Sequence, residues 1–310
     1  MTTVTKTKET VAPQRKAKRP LWMRLRQSPA AAALLFLAPG LLFLVVLRIA
    51  PAVSAVASSL FHYSLLRDTT SFVGFDNYAT LFRDSDFHQA VLVTLLFNVI
   101  INPLQIAVSL ALAVLLNQKL AGVRFWRALV FLPIAVPPAV SAVVWDVAFQ
   151  PNGLINAFLR VFGLPAQPFL TSGSQALWSI MILCSWIGVG YWMMFLISGL
   201  NDIPTSLYEA STLDGAGAWK RFWYITFPML RRPLAFVLVA DTVSNFLVFA
   251  PVQILTNGGP ENATNLAMFD IYRRAFTLGN MNLAQAEVVL LMLVTLVVVA
   301  VQFRLLRSKE

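Results

Sequence analysis

Six long apolar stretches separated by short polar connections dominate the chain, at roughly 30–60, 89–117, 125–149, 176–200, 233–256 and 284–305. Each is about 20 residues or longer, enough for a helix to cross a hydrocarbon core about 30 Å thick. The apolar residues run continuously instead of alternating, which predicts helices and not the strands of a barrel. The expected fold class is an all-α integral membrane protein with six transmembrane helices. Its expected parts are a basic tail at 1–29, a membrane domain at 30–305 with a polar loop at 201–232, and a short C-terminus at 306–310. Ala52-Val53-Ser54-Ala55 has the small residues of a signal cleavage site. The apolar run ahead of it is about 20 residues, against 7–15 in a signal sequence, which predicts an uncleaved first span.

Composition agrees with burial in lipid. The 310 residues are 58% hydrophobic and 12% charged, where soluble domains carry about 25% charged residues. The placement of charge then sets orientation. Of the 24 Lys and Arg, eighteen lie in the tail, the second loop (Lys119, Arg124, Arg127), the fourth loop (Lys220, Arg221, Arg231, Arg232) and the C-terminus. Five lie in the alternate loops: Arg67, Arg83, Arg160, Arg273 and Arg274. The positive-inside rule therefore predicts that both termini and the 201–232 loop are cytoplasmic. The net charge of +10 reads as a topology signal, with the tail meeting anionic lipid headgroups, and no nucleic acid is expected as a partner. Cys184 sits in an apolar run as a packed thiol. His62 and His88 lack ligand spacing, so no metal site is expected. The first outer loop interleaves Asp68, Asp76, Asp84 and Asp86 with Phe72, Phe75, Tyr78, Phe82 and Phe87, which predicts a short interfacial helix.

Within the spans, Pro133, Pro137 and Pro138 remove backbone hydrogen bonds and predict a kink in the third, either for packing or for bending between states. Asp146, Asp241 and Glu287 fall in or near spans three, five and six, where a carboxylate costs about 2.5–3.5 kcal/mol at mid-bilayer. Asp241 shares a helical face with Asn245, with Ser244 and Phe249 nearby, while Gly188, Gly190 and Tyr191 form a small-and-polar cluster in span four. For the glycines, close helix packing and a binding site both stand as readings. Asp, Asn, Tyr and Phe together suit a neutral polyhydroxylated solute, since amides and carboxylates take hydroxyls and aromatic faces take C–H surface. No cluster of Lys or Arg lies midway through a span, which disfavours an anionic solute. Catalytic residues are not expected: GxSxG, HExxH, CxxC and Walker A motifs are missing. Uphill work would therefore draw its energy from another subunit.

The 201–232 loop is the most informative segment. Residues 205–214 read as a short helix, with Ser206 as its cap and Glu209 as the reciprocal partner. Gly215 and Gly217 let the chain turn. Trp219, Phe222, Trp223 and Ile225 then form an aromatic helical face, and Pro228 and Pro233 end the segment. That face suits either a docked partner or the headgroup region.

Glu209-Ala210-Ser211, Gly215 four residues on, and Ile225-Thr226-Phe227-Pro228 together resemble the EAA motif of binding-protein-dependent ABC importer permeases, with Ser211 replacing Ala and Phe227 replacing Leu. Phe72-Val73-Gly74-Phe75-Asp76-Asn77-Tyr78, Phe131-Leu132-Pro133, Trp186 with Gly188, and Leu255-Thr256-Asn257-Gly258-Gly259-Pro260 extend the resemblance over most of 30–305. The last string is similar to the first of the two paired permeases of carbohydrate importers, such as the larger maltose permease and the glycerol-phosphate permease. The large periplasmic insertion of that maltose subunit is missing.

The resemblance implies a type I (MetI-like) ABC importer permease in a bacterial inner membrane. It implies ATPase coupling through Glu209, Ala210, Ser211, Asp214, Gly215, Ile225 and Pro228. It implies solute-lining positions at Gly188, Tyr191, Asp241, Ser244, Asn245 and Ala250, of which Gly188, Tyr191 and Asn245 keep the residue type of the maltose subunit. Implied partners are a second permease subunit, two ATPase subunits that use ATP and Mg, an extracytoplasmic solute-binding protein and a sugar-like solute. This chain itself would hold no cofactor. Competing readings are a permease for glycerol-phosphate-type solutes, an ion-coupled secondary transporter, and a membrane enzyme using Asp241 and Glu287 as an acid/base pair.

Overall fold

The computed structural model describes residues 29–64, 69–118 and 121–306. The expected basic tail up to residue 28, and residues 307–310 of the expected C-terminus, lie outside the described residues. The chain divides into two compact units, 1–54 and 55–310. The described residues of the first form helix α1 (Pro29–Leu44), a π-turn at Val45–Ile49, and the start of α2 (Ala50–Ser58). Pro29, the last residue assigned to the tail, is already helical.

The second unit opens with an antiparallel hairpin, β1 (Phe61–Ser64) on β2 (Thr69–Phe72), pairing Phe61 with Phe72. This corrects the all-α expectation. A short helix, α3 (Asp76–Leu81), falls in the same loop, where one was expected. Asn282 pins the hairpin from the far end of the unit: it accepts from the Tyr63 N–H at 3.0 Å and donates to the Tyr63 carbonyl at 3.1 Å. The remaining helices are α4 (Ser85–Leu116), α5 (Val123–Phe131), α6 (Pro138–Phe149), α7 (Leu154–Val161), α8 (Ala176–Asn201), α9 (Thr205–Leu213), α10 (Ala218–Arg221), α11 (Phe227–Met229), α12 (Arg231–Phe246), α13 (Ala250–Leu255), α14 (Ala267–Tyr272) and α15 (Met281–Leu306).

Among the described residues, four helices are long and apolar enough to cross a membrane, or five if the bent α5–α6 region counts as one span. Six expected spans thus become a coarser result, because the third and fifth stretches are broken. In the third, a 3-10 turn at Leu132–Ala135 follows α5, and Val136 and Pro137 then adopt extended ψ values of 127° and 138°. A residue before proline avoids the helical region, and Pro138 begins a new helix where its missing N–H costs nothing. The two arms meet at 100°. In the fifth, helix stops at Phe246 and resumes at Ala250.

Two apolar clusters share α4 and α8 as their spine. One gathers Phe97, Ile101, Ile180, Leu183, Val252 and Phe269, and buries Cys184 as expected of a packed thiol. The other gathers Ala113, Trp192, Met193, Leu196, Leu230 and Val237. Gly190 is what allows α5 to lie against α8: a Cβ there would overlap the Val130 carbonyl oxygen.

A third contact is ionic. Arg274 donates from Nε to Asp270 Oδ2 and from Nη1 to Asp84 Oδ2, both at 2.6 Å, while Arg273 bonds Asp270 at 2.6 Å and Asp86 at 3.0 Å. Glu287 Oε2 lies 2.9 Å from the same Arg274 Nε. That N–H already points to Asp270, so the contact is an ion pair without a hydrogen bond of its own. These residues tie the start of α4 to the end of α14 and the start of α15. Burial opposes the charge on Asp84, but the Arg274 guanidinium and the Asp86 and Phe87 backbone N–H groups outweigh it and hold the carboxyl below its ordinary value. The stabilisation is therefore complete above about pH 4 and is lost as pH falls through the lower folded value.

Arg274→Gln leaves Glu287 buried without its cation and Asp270 with Arg273 alone, and should cost about 3–5 kcal/mol. Gly190→Ala should cost about 1–3 kcal/mol by overpacking. Both are read from unfolding of the detergent-solubilised protein, and unchanged midpoints would contradict the two assignments.

Candidate coupling loop and intramembrane polar cluster

The loop after α8 is built by its punctuation. Pro204, with φ −58° and ψ 129°, caps α9, and no side chain bonds the helix start. The expected Ser206 cap is therefore wrong: the rigid Pro204 moves the boundary and leaves Ser206 inside the first turn. Helix α9 itself falls on the expected residues. It ends in a Schellman motif, in which the Ala216 N–H bonds the Ser211 carbonyl at 2.9 Å and the Gly215 N–H bonds the Thr212 carbonyl at 3.1 Å. Gly215 sits at φ +73° with nothing near a built Cβ. Glycine is needed there for backbone conformation, not for space.

One face of α9 turns inward. Ser211 is buried and donates to the Tyr208 carbonyl at 2.7 Å, and the Tyr208 hydroxyl lies 2.9 Å from Thr226 Oγ1. The opposite face presents Ser206, Glu209, Ala210 and Leu213 to the exterior, with Asp214 and Gly215 exposed at its end. Leu213 is 91% exposed; sequence reasoning missed it, although its i+4 spacing from Glu209 put it on this face. The aromatic segment forms α10 and a π-turn at Phe222–Thr226. Trp219, Phe222, Trp223 and Phe227 pack ring on ring, with Trp223 and Phe227 centroids 5.2 Å apart. Ile225 and Pro228 are half-buried, and Ile225 packs on the second apolar cluster. Pro228 and Pro233 lie within α11 and α12, and Leu230 forms the break between them.

Deeper in the unit the expected solute positions divide. Gly188 and Asn245 meet at Gln105 of α4, while Asp241, one turn before Asn245, bonds α8. Asp241 is buried and its Oδ1 accepts from Trp192 Nε1 at 2.6 Å, while Oδ2 has no hydrogen-bond partner among the described residues. Asn245 donates to Asn102 Oδ1 at 2.7 Å and to Gln105 Oε1 at 3.1 Å. A Cβ on Gly188 would lie 3.1 Å from Gln105 Nε2. Tyr191 stacks edge-on with Trp192 and Phe195. Ser244 is exposed and bonds back to the Ala240 carbonyl, and Ala250 opens α13, separated from α12 by the Leu247–Phe249 break. Asp146 lines a surface cleft of about 460 Å³ with Phe149, Gln150 and Thr171. Asp241 and Glu287 have different partners, Trp192 and Arg274, and no shared contact makes them an acid/base pair.

The α4 side of this cluster was not anticipated. Thr94, Asn98, Asn102, Gln105 and Ser109 are all buried along one face of an otherwise apolar helix. Asn102 donates to Thr242 at 2.9 Å, Gln302 of α15 donates to the same Thr242 oxygen at 2.8 Å, and Ser109 donates to the Val189 carbonyl at 3.0 Å. Their spacing of 4, 4, 3 and 4 residues was visible in the sequence.

Comparison with known proteins fits this arrangement. Residues 105–309 match the family described as binding-protein-dependent transport system inner membrane component. The sn-glycerol-3-phosphate transport system permease protein UgpA of Escherichia coli (strain UTI89 / UPEC) is 37% identical over 277 residues, covering 89% of this chain and 94% of that protein. Its namesake in Brucella abortus biovar 1 (strain 9-941) is 33% identical over 275 residues, covering 88% and 94%. Among solved structures, a chain of a bacterial alginate ABC transporter in complex with an alginate pentasaccharide-bound periplasmic protein superposes with a TM-score of 0.80 at 22% identity, covering 93% of this chain and 97% of that one. At that identity the likeness establishes the fold alone. The family match and the extent of the sequence relationship together place the chain among the inner-membrane permease components of binding-protein-dependent transport systems, whose ATPase is a separate subunit.

Proposed function

We propose that the chain forms one transmembrane half of an ATP-driven importer for a sugar or related polyol. In this reading the six apolar stretches each cross the bilayer with both termini cytoplasmic. A second permease subunit completes the path, an extracytoplasmic binding protein delivers the solute, and two ATPase subunits hydrolyse ATP with Mg. The exposed face of α9, with Glu209, Ala210, Leu213 and Asp214, docks in a cleft of one ATPase subunit. The observation that carries this is the shape of the loop. A short helix held on its inner face by Ser211 and the Tyr208–Thr226 bond offers an acidic rim and an apolar tip that no described residue covers. Force on that helix passes through the aromatic turn into α12, and closure of the ATPase pair moves the spans as near-rigid bodies.

The solute class follows from the polar cluster. Amides and hydroxyls around Asn245 match the alternating donors and acceptors of a polyol. A phosphorylated solute is the second reading, favoured by the name of the 37% identical relative. Gly188, Asp241 and Asn245 are the solute-facing residues in this proposal, with Tyr191, Ser244 and Ala250 flanking them.

The test is uptake by cells expressing the complete importer, offered labelled neutral sugars, polyols and sn-glycerol 3-phosphate. Uptake of a neutral member that persists with an uncoupler at constant ATP is expected; collapse with the uncoupler would identify an ion-coupled transporter instead. Glu209→Lys and Gly215→Asp should each reduce uptake and receptor-stimulated ATP hydrolysis at least tenfold while membrane insertion is retained. Wild-type uptake by both variants would refute docking through α9.

A further inference from the structure

Five polar side chains line one face of α4 over about 22 Å of helix, and none is more than 5% exposed. Most are engaged. Thr94 Oγ1 accepts the Ala267 N–H at 2.8 Å, Asn98 donates to the Thr94 carbonyl at 2.9 Å, and Asn102 is bonded to Asn98, Thr242 and Asn245. Gln105 differs. Its Oε1 accepts from Asn245 at 3.1 Å, but its Nε2 makes no hydrogen bond among the described residues. That nitrogen lies against the bare backbone of Gly188, 3.1 Å from where a Cβ would stand. The same side chain also borders a cleft of about 560 Å³ lined by Trp145, Trp178 and Trp186. An amide packed on a bare glycine, with one donor unused and its side chain bordering that cleft, is poised for a ligand that both donates and accepts.

We propose that Gln105 is a further solute-contacting residue, its amide reading a solute hydroxyl beside Gly188 and Asn245. This rests on the reading that those two residues face the solute. A hydroxyl that reaches the amide edge accepts from Nε2 and donates to Oε1, replacing the Asn245–Gln105 bond. Asn245 keeps its 2.7 Å bond to Asn102, so the exchange leaves it with a partner. The amide is neutral and presents no positive charge, so it selects a hydroxyl over a phosphate. The chemistry assigned to α4 is therefore specificity for the polyol portion of the solute.

Gly188→Ala tests the geometry directly, because its Cβ would push the Gln105 amide aside. Uptake of the same panel of neutral sugars, polyols and sn-glycerol 3-phosphate is measured for both single variants and the double variant. Gln105→Ala should raise the KM for the transported neutral member about tenfold and narrow its advantage over the other probes, with Gln105→Asn intermediate. Because both substitutions act on one contact, the double variant should be no worse than the worse single. A purely structural loss would lower the quantity of assembled importer, and with it Vmax for every probe, leaving KM and the order of preference unchanged. That pattern would overturn the proposal, as would multiplication of the two single effects to about a hundredfold. Failure of the unsubstituted importer to take up any probe would overturn the solute class and this contact with it, and is distinguished by appearing before any substitution is made.

Discussion

Hydrocarbon offers a polar side chain nothing to bond to, so an amide buried in a membrane bundle depends on the protein, or on what the protein binds, for its partners. The face of α4 from Thr94 to Ser109 is organised by that constraint. Asn102 reaches Thr242 on α12, Gln302 on α15 reaches the same oxygen, and Asn245 returns to α4. Apolar packing alone is tolerant of small slides between helices, because lipid and leucine are equally apolar. Directional bonds at 2.7–2.9 Å are not. They fix the register of three helices at one level, and any movement that separates α4 from α12 must break or exchange them.

The glycine contacts give the same bundle its closeness. Gly190 brings the Val130 carbonyl against α8, and Gly199 lets Pro233 approach, with a built Cβ only 2.7 Å from the Pro233 Cγ. The second contact joins the end of α8 to the start of α12, on either side of the 201–232 loop. The loop is thus anchored where it leaves and where it returns. Its α9 tip projects from a firm base, and the bond from Tyr208 to Thr226 closes the ring. The ionic group around Arg274 does similar work elsewhere, joining the starts of α4 and α15 through Asp84 and Glu287.

Much of this was legible in the sequence where a residue's local effect is strong. Gly215 and the residues before it announced α9 almost to the residue, and the three prolines announced a disturbance near 133–138. The size of the bend was not legible, because it depends on Val136 and Pro137 both being extended, a consequence of two prolines in succession. Ser206 misled because a hydroxyl and Glu209 stood at capping spacing, while Pro204 had already set the boundary. The polar face of α4 was overlooked because its mean apolarity is high and a period of 3.6 residues is hidden in a run of Leu, Val and Ile. Arg274 was read as a loop charge bearing on orientation; its burial depends on acids 190 residues away at Asp84 and 13 residues on at Glu287, pairings that tertiary structure alone creates. Sequence reasoning also placed Gly188 and Asn245 in two spans without the helix that joins them.

The break at Pro137 and Pro138 has a mechanical corollary. A rod bent through 100° turns a push along its axis into rotation at the elbow, so α5 and α6 are poor at carrying thrust inward. Helices α8 and α12 each run unbroken between the loop and the level of Gln105. Gly188 stands 13 residues from Asn201 and Asn245 stands 14 residues from Arg231, or about 20 Å and 21 Å along their axes. Two struts of nearly equal length thus rise from a common footing to the two sides of one amide. A thrust at the footing reaches both sides at the same height, and its first effect there is to tilt or widen the gap instead of shearing it.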